Sequence, residues 1–265
     1  MYVRDTMLPP NTFAGRTAIV TGGGSGIGFG IAEELARLGA TVVLAGRKAD
    51  RLEKARQTIR QQGGQALAVP TDIRDPGQVD QLVHQTWEET GRLDLLVNAA
   101  AGNFIVDSDQ LSVNGWNAVV NTVLNGTFYV TRAAGLRMIE SGRGGRILSI
   151  VASYAWTGGP RTVHSVAAKA GVVAMTRTLA VEWAHHNIRV NAMSPGPTDT
   201  EGARPLWQDP ADEARLLAKI PVGRFGRVEE MAQAASYLLS PYADFVNGEV
   251  FVIDGGEWLG KGLTS

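Results

Sequence analysis

Short runs of β-branched and aliphatic residues alternate along the chain with longer segments in which apolar residues return every three or four positions. The short runs predict strands at Thr17–Thr21, Thr41–Ala45, Ala66–Val69, Leu93–Val97, Arg146–Val151, Ile188–Ala192 and Val250–Ile253. The longer segments predict helices over Gly28–Leu38, Asp50–Gln62, Gly77–Thr90, Trp116–Ser141, Val166–His185 and Val228–Leu239. In the first helix Ile31, Leu35 and Leu38 share one face. Several strands are almost wholly apolar, as expected where helices cover both faces of a parallel sheet. Regular β-α alternation therefore predicts one doubly wound α/β domain with a parallel sheet of about seven strands. No internal repeat or low-complexity segment interrupts it.

One segment breaks the rhythm. Pro195–Gly226 is rich in Gly, Pro and charge and follows a strand directly. Loops at the carboxyl ends of strands line the ligand crevice in such sheets, so a substrate lid is expected around residues 197–226. A length of 265 residues suits one domain, here 14–265. Residues 1–13, with Arg4, Asp5 and Pro9-Pro10, lack the apolar stretch of a signal peptide and read as a short leader, loose or packed on the surface.

Composition narrows the function. A net charge of -1 offers no global field for nucleic acid or an anionic membrane, and no apolar run is long enough to insert into one. The absence of cysteine excludes disulfides, thiolate catalysis and zinc-thiolate sites, and fits a cytoplasmic protein. His84, His164, His185 and His186 form no H-x-x-x-H pair. No metal site is expected, and each histidine is expected at the surface or in a satisfied polar role.

The chemistry starts at Thr21-Gly-Gly-Gly-Ser-Gly-Ile-Gly28, between the first strand and the first helix. Glycines there let backbone N–H groups and the positive helix end approach a pyrophosphate. The spacing is T-G-x-x-x-G-x-G rather than G-x-G-x-x-G, but its strand–turn–helix setting points to a Rossmann-type dinucleotide site. Gly22, Gly24, Ser25, Gly26, Ile27 and Gly28 are its candidate residues. The second strand ends Leu44-Ala-Gly-Arg-Lys48, with no carboxylate for the ribose hydroxyls. Arg47 can pair with a 2′-phosphate in bidentate fashion, so NADP(H) is the expected cofactor.

These residues resemble the short-chain dehydrogenase/reductase family along nearly the whole chain. The resemblance rests on Thr21–Gly28, Thr71-Asp72-Ile73, Asn98-Ala-Ala-Ala-Gly102, Asn125, Lys169 and Ser194-Pro-Gly196. It implies that Asp72 contacts the adenine and that Ile73 and Arg51 also bind the cofactor. It places Asn98, Ala99 and Ala100 beneath the cofactor, Pro195, Gly196 and Thr198 around the nicotinamide, and Lys169 on its ribose.

Most members of that family carry Tyr-x-x-x-Lys. Here Ser165 stands four residues before Lys169, and a serine hydroxyl is a far poorer acid than a phenol. A second phenol, Tyr154, lies just past the strand Arg146–Val151. Tyrosine there with serine in the helix resembles the 2,4-dienoyl-CoA reductases of the family, bacterial forms especially. Asn98-Ala-Ala-Ala-Gly-Asn-Phe104, Val123-Leu-Asn-Gly-Thr127, Val163-His-Ser165 and Asp254-Gly-Gly-Glu-Trp-Leu259 resemble the same subgroup. Ala99 departs from it, standing where relatives usually have asparagine.

That likeness implies NADPH-dependent reduction of 2,4-dienoyl-CoA to 3-enoyl-CoA in auxiliary fatty-acid β-oxidation. Tyr154, Asn125, Lys169 and Ser165 would be catalytic. An acyl-CoA thioester would be the substrate, with Arg74, Phe104, Ser112, Asn114, Tyr154 and Arg204 along its path. Ser112 before a helix is equally a candidate N-cap. A homotetramer is the implied assembly. Two alternatives stay open: a carbonyl or 3-oxoacyl thioester reductase, and a catalytically silent nucleotide-binding sensor.

Overall fold

The computed structural model describes residues 7–204 and 209–259. Its strands are β1 (Thr17–Thr21), β2 (Thr41–Gly46), β3 (Gln65–Pro70), β4 (Leu95–Asn98), β5 (Gly145–Ile150), β6 (Ile188–Pro195) and β7 (Val250–Ile253). They pair in parallel in the order β3-β2-β1-β4-β5-β6-β7. The predicted doubly wound sheet is therefore present, with the seven strands where the apolar runs place them.

Helices α1 (Gly26–Arg37), α2 (Ala49–Gln61) and α9 (Val228–Leu239) cover one face. Helices α3 (Pro76–Thr90), α5 (Gly126–Ser141) and α7 (Val163–Glu182) cover the other. Successive strand residues serve opposite cores. Ala18 and Val20 of β1 pack with Ile31, Leu35 and Met231, whereas Ile19 between them packs with Leu82, Val130 and Met138. This two-residue alternation is why strands with two covered faces are apolar throughout.

Three features differ from the pattern. The predicted helix Trp116–Ser141 is two helices, α4 (Val113–Val120) and α5, joined by a π-helical turn at Asn121–Asn125. A π turn adds one residue without breaking the helix, so the apolar periodicity hardly registers it. The segment 197–226 contains helix α8 (Pro210–Leu217), started by Asp209, whose Oδ1 accepts the Ala211 N–H at 2.8 Å. None of its residues is buried, so only the Asp209-Pro210 start signals it in the sequence. The short helix α6 (Tyr154–Thr157) follows β5.

The N-terminal segment is the third difference. Residues 1–6 lie outside the described residues. From Met7 onward the chain is no surface leader: Leu8 and Phe13 join the α1/α9 core, Phe13 with no exposed surface. The Phe13 N–H donates to Leu38 O at 2.9 Å, closing the open end of α1. Phe13→Ala should therefore lower stability by about 3–5 kcal/mol, read as a lower denaturant midpoint in equilibrium unfolding. An unchanged midpoint would mean that the segment only decorates the domain.

Candidate active site

The site forms where the strand order reverses, between the carboxyl ends of β1 and β4. At the end of β1 the Thr21 hydroxyl oxygen accepts the backbone N–H groups of Ala99 and Ala100, each at 3.1 Å. This bond fixes the loop after β4 against the glycine turn. Gly22 follows with φ 67°, and a Cβ there would lie 2.9 Å from the Ala99 carbonyl. A Cβ at Gly28 would lie 2.5 Å from Gly22 O. A side chain at Gly22 would push the turn off the loop, and one at Gly28 would collide with the turn itself. Ser25, at the α1 N-cap, makes no side-chain capping bond, which leaves the first-turn amides for a ligand.

A cleft of about 480 Å³ opens over this turn. Gly22, Gly24, Ser25, Ile27 and Gly28 form its floor, with Ala99 and Ala100 at one side. Asp72 and Ile73 line another wall, beside Thr71. Arg47, Lys48 and Arg51, all exposed, gather at one end. Glu201 of the 197–226 segment lies 4.0 Å from the Arg51 guanidinium. Shape and donors suit a dinucleotide: an amide-rich floor for a pyrophosphate and a cationic end for a further phosphate.

Other predicted cofactor residues stand outside the lining. Asn98 is buried, and its amide donates to Thr131 Oγ1 at 2.9 Å and Ser149 Oγ at 3.2 Å. Its side chain clasps β4 to α5 and β5. Gly26, with φ 56°, faces Thr200, whose Cγ2 would lie 3.7 Å from a Cβ there. Pro195 ends β6 and pairs with Ile253 of β7. Gly196 borders a separate hollow of about 150 Å³ beside Asp254. The Thr198 hydroxyl is buried and donates to Gly196 O at 2.9 Å.

The catalytic candidates gather around α7. Tyr154 opens α6, and its phenol oxygen lies 2.9 Å from Ser165 Oγ on α7. Burial pushes the Tyr154 phenol above its ordinary value, partly offset by the bond to Ser165. It therefore remains protonated at neutral pH. One helical turn on, Lys169 Nζ donates to Ile150 O at 2.5 Å, and burial lowers its pKa from 10.5 to about 8. Asn125 closes the π turn, where its amide donates to Asn121 Oδ1 at 2.9 Å. The turn lies directly on α7, since a Cβ at Gly171 would meet Leu124 Cδ1 at 2.9 Å. Helix α7 is thus the common wall for the Tyr154 helix and the Asn125 turn.

The predicted acyl-CoA contacts are more dispersed. Arg74 makes a bidentate pair with Asp72 at 2.5–3.0 Å, which holds the Asp72 carboxyl below its ordinary range. Arg204 pairs in the same way with Asp199, at 2.8 and 3.1 Å. Ser112 is a helix cap, its Oγ accepting the Gly115 N–H at 3.0 Å. Asn114 is exposed in the first turn of α4. Phe104 is 41% exposed, and its ring centroid lies 4.5 Å from that of His164. His164 itself corrects an expectation: it is wholly buried, and neither ring nitrogen has a hydrogen-bond partner among the described residues. The sequence reading also missed Thr200 and Gly202, which fold back to line the cofactor cleft without any local signal.

Residues 22–257 match the family described as Enoyl-(Acyl carrier protein) reductase. A probable 2,4-dienoyl-CoA reductase of Bacillus subtilis, named as producing (2E)-enoyl-CoA, is 43% identical over 92% of this chain and 97% of its own. A probable 2,4-dienoyl-CoA reductase of Caenorhabditis elegans, named as producing (3E)-enoyl-CoA, is 40% identical over 96% of this chain and 84% of its own. Among solved structures, a Beutenbergia cavernae protein described as an NAD(P)-dependent gluconate 5-dehydrogenase, with NADP bound at low occupancy, superposes with a TM-score of 0.89. It is 37% identical over 95% of this chain and 99% of its own. With the cleft, the lysine and the sheet order already in place, these likenesses identify the chain as a member of the short-chain dehydrogenase/reductase family, a family of nicotinamide-nucleotide oxidoreductases.

Proposed function

We propose that the protein reduces 2,4-dienoyl-CoA thioesters with NADPH, giving 3-enoyl-CoA in auxiliary fatty-acid β-oxidation. The observation that carries this reading is the 2.9 Å pair between the Tyr154 phenol and Ser165 Oγ. A serine stands on α7 where carbonyl reduction uses a phenol, and the phenol comes instead from α6. The dienoyl-CoA reductase names of the relatives support the same substrate class. The carbonyl-reductase alternative lacks its acid at position 165. Retention of Tyr154, Asn125 and Lys169 together speaks against a silent sensor.

When bound, the reduced nicotinamide supplies a hydride for the δ carbon of the conjugated thioester. Charge then moves to the thioester oxygen, giving a dienolate. Tyr154 and Asn125 donate hydrogen bonds to that oxygen, a contribution commonly worth about 3–4 kcal/mol per donor. Tyr154 then passes its proton to the α carbon, and the remaining double bond becomes that of the 3-enoyl thioester. Ser165 holds the phenol in position. Lys169 holds the nicotinamide ribose and keeps the local potential positive. The alternative product, a 2-enoyl thioester, requires the proton on the γ carbon, and the name of the Bacillus relative favours it.

Arg47, Lys48 and Arg51 support NADPH over NADH, since a 2′-phosphate would meet three cations and no strand-end carboxylate. In this reading the described residues of the segment 197–226 cover the substrate as a lid. A homotetramer belongs to it too: α5 and α7 expose Phe128, Leu136 and Val181, and the β7 side exposes Phe245 and Phe251. No helix among the described residues is long and apolar enough to cross a membrane. With a chain free of cysteine, a cytoplasmic site fits.

NADPH oxidation with 2,4-hexadienoyl-CoA, and determination of the product's double bond, tests the reading directly. Acetoacetyl-CoA as the better substrate would overturn it. Tyr154→Phe should cut kcat by about 10²–10³-fold with an unchanged Kd for NADPH; normal turnover would remove Tyr154 from the mechanism. Arg47→Ala should raise the KM for NADPH by about 10–100-fold and leave that for NADH unchanged. Equal KM values for both cofactors in the unaltered enzyme would refute the NADP assignment.

The pH profile follows from Lys169. Its charge is present below pH 8 and is lost above it, so kcat/KM should fall through an ionisation at about 8. The unfolded chain keeps that proton to about 10.5, so this group's contribution to stability rises with pH between about 8 and 10.5. Loss of rate at pH 9 with the melting temperature maintained is the expected outcome. A rate independent of pH across 7–10 would exclude a role for the Lys169 charge.

A further inference from the structure

His164 is the second residue of α7, adjacent to the serine that holds Tyr154. It has no exposed surface, and neither Nδ1 nor Nε2 has a partner among the described residues. An imidazole carries at least one N–H in every protonation state. A buried N–H without an acceptor destabilises the fold, and an apolar ring would fill the same space without that penalty. The packing role alone therefore does not account for a histidine here.

The ring that covers it is Phe104, at a centroid distance of 4.5 Å and an interplanar angle of 38°. Phe104 fits between the first turns of α4 and α7 because Gly115 has no side chain: a Cβ there would lie 3.1 Å from Phe104 Cζ. The segment carrying Phe104 is irregular and exposed, and it continues directly from Ala99–Ala101 of the cofactor cleft. Its ties to the neighbouring loop lie beyond Phe104. There the Val106 N–H donates to Arg161 O at 3.0 Å, and Asp107 pairs with Arg161 at 3.1 Å. Phe104 is thus a half-exposed plug over a buried donor, beside the reacting groups.

We propose that His164 is a substrate-binding residue whose ring N–H donates to a carbonyl oxygen of the acyl-thioester arm once Phe104 turns aside. The proposal rests on the acyl-CoA reading above. With Tyr154 and Asn125 on the thioester oxygen, the next acceptors along the arm are amide carbonyls, the class of group a single N–H donor suits. Phe104 excludes water from the donor until the arm arrives.

The test compares the unaltered enzyme with His164→Phe and His164→Gln, the second of which keeps an N–H near the Nε2 position. Binding of hexanoyl-CoA to each NADPH complex is measured by calorimetry, with steady-state rates on 2,4-hexadienoyl-CoA and thermal melting alongside. His164→Phe should weaken hexanoyl-CoA binding about 10-fold and raise KM in step, with kcat within about twofold. It should also melt about 2–4 °C higher, since an unpaired buried donor is gone. His164→Gln should restore binding towards that of the unaltered enzyme. If His164→Phe binds hexanoyl-CoA as tightly as the unaltered enzyme, the proposal is overturned while the functional reading stands. Equal weakening in both variants also overturns it, because packing rather than the N–H would then matter. If the unaltered enzyme binds no acyl-CoA thioester, the functional reading fails first and this one with it.

Discussion

The close approach of two backbone segments at the reversal point of the sheet governs this molecule. The turn after β1 and the loop after β4 run within contact distance because Gly22 and Gly28 have no side chains and the Thr21 hydroxyl accepts two amides of the loop. Adjacent strands there send their following helices to opposite faces, so a crevice opens between their carboxyl ends. The Thr21 bonds set the floor of that crevice. The same bonds fix the start of the loop that later carries Phe104 onto His164. One hydroxyl therefore links the cofactor cleft to the mouth of the proposed acyl site.

Electrostatics then divides the cations in and around the cleft into two groups. Arg47, Lys48 and Arg51 lie at one end, exposed, where their charges cost little in desolvation. Lys169 belongs to the opposite regime. Burial lowers its pKa to about 8, yet its ammonium donates to Ile150 O and stays largely charged near neutrality. A surface cation can be replaced or paired freely; a buried one fixes the local potential and so tolerates few neighbours. Arg74 and Arg204 illustrate the other outcome, each bound by a carboxylate close in sequence, Asp72 and Asp199.

How much of this the chain reveals before folding depends on whether a feature repeats. Two-faced burial stamps every strand with the same apolar signature, and the glycine turn is contiguous, so sheet and cofactor floor are both legible. Features carried by single residues are not. Phe13 is one apolar residue outside any period, yet it closes the core. The π turn shifts the helical phase by one residue, within the scatter of a 3.6-residue pattern. Helix α8 buries nothing and leaves no stripe. His164 reads the same in sequence whether it faces water or a phenyl ring. The pairings of Arg74 and Arg204 depend on rotamers, which neighbouring letters do not encode. Ser112 admitted two readings, and the Gly115 amide decides for the cap without deciding about substrate.

The displaced phenol ties the fold to the proposed chemistry. In carbonyl reduction the hydride goes to the carbon that bears the oxygen to be protonated, so acid and nicotinamide act on adjacent atoms. In a conjugated dienoyl thioester the hydride enters at the δ carbon and the proton at the α carbon, three bonds apart. The proton donor must then stand farther along the substrate from the nicotinamide. Taking the phenol from α6 rather than α7 moves it to a separate element while Lys169 keeps its place on the helix. Ser165 makes that possible: its short side chain leaves room for a ring arriving from outside the helix, and its hydroxyl fixes that ring at 2.9 Å. In the proposed chemistry the serine is thus a support for the phenol that arrives from α6.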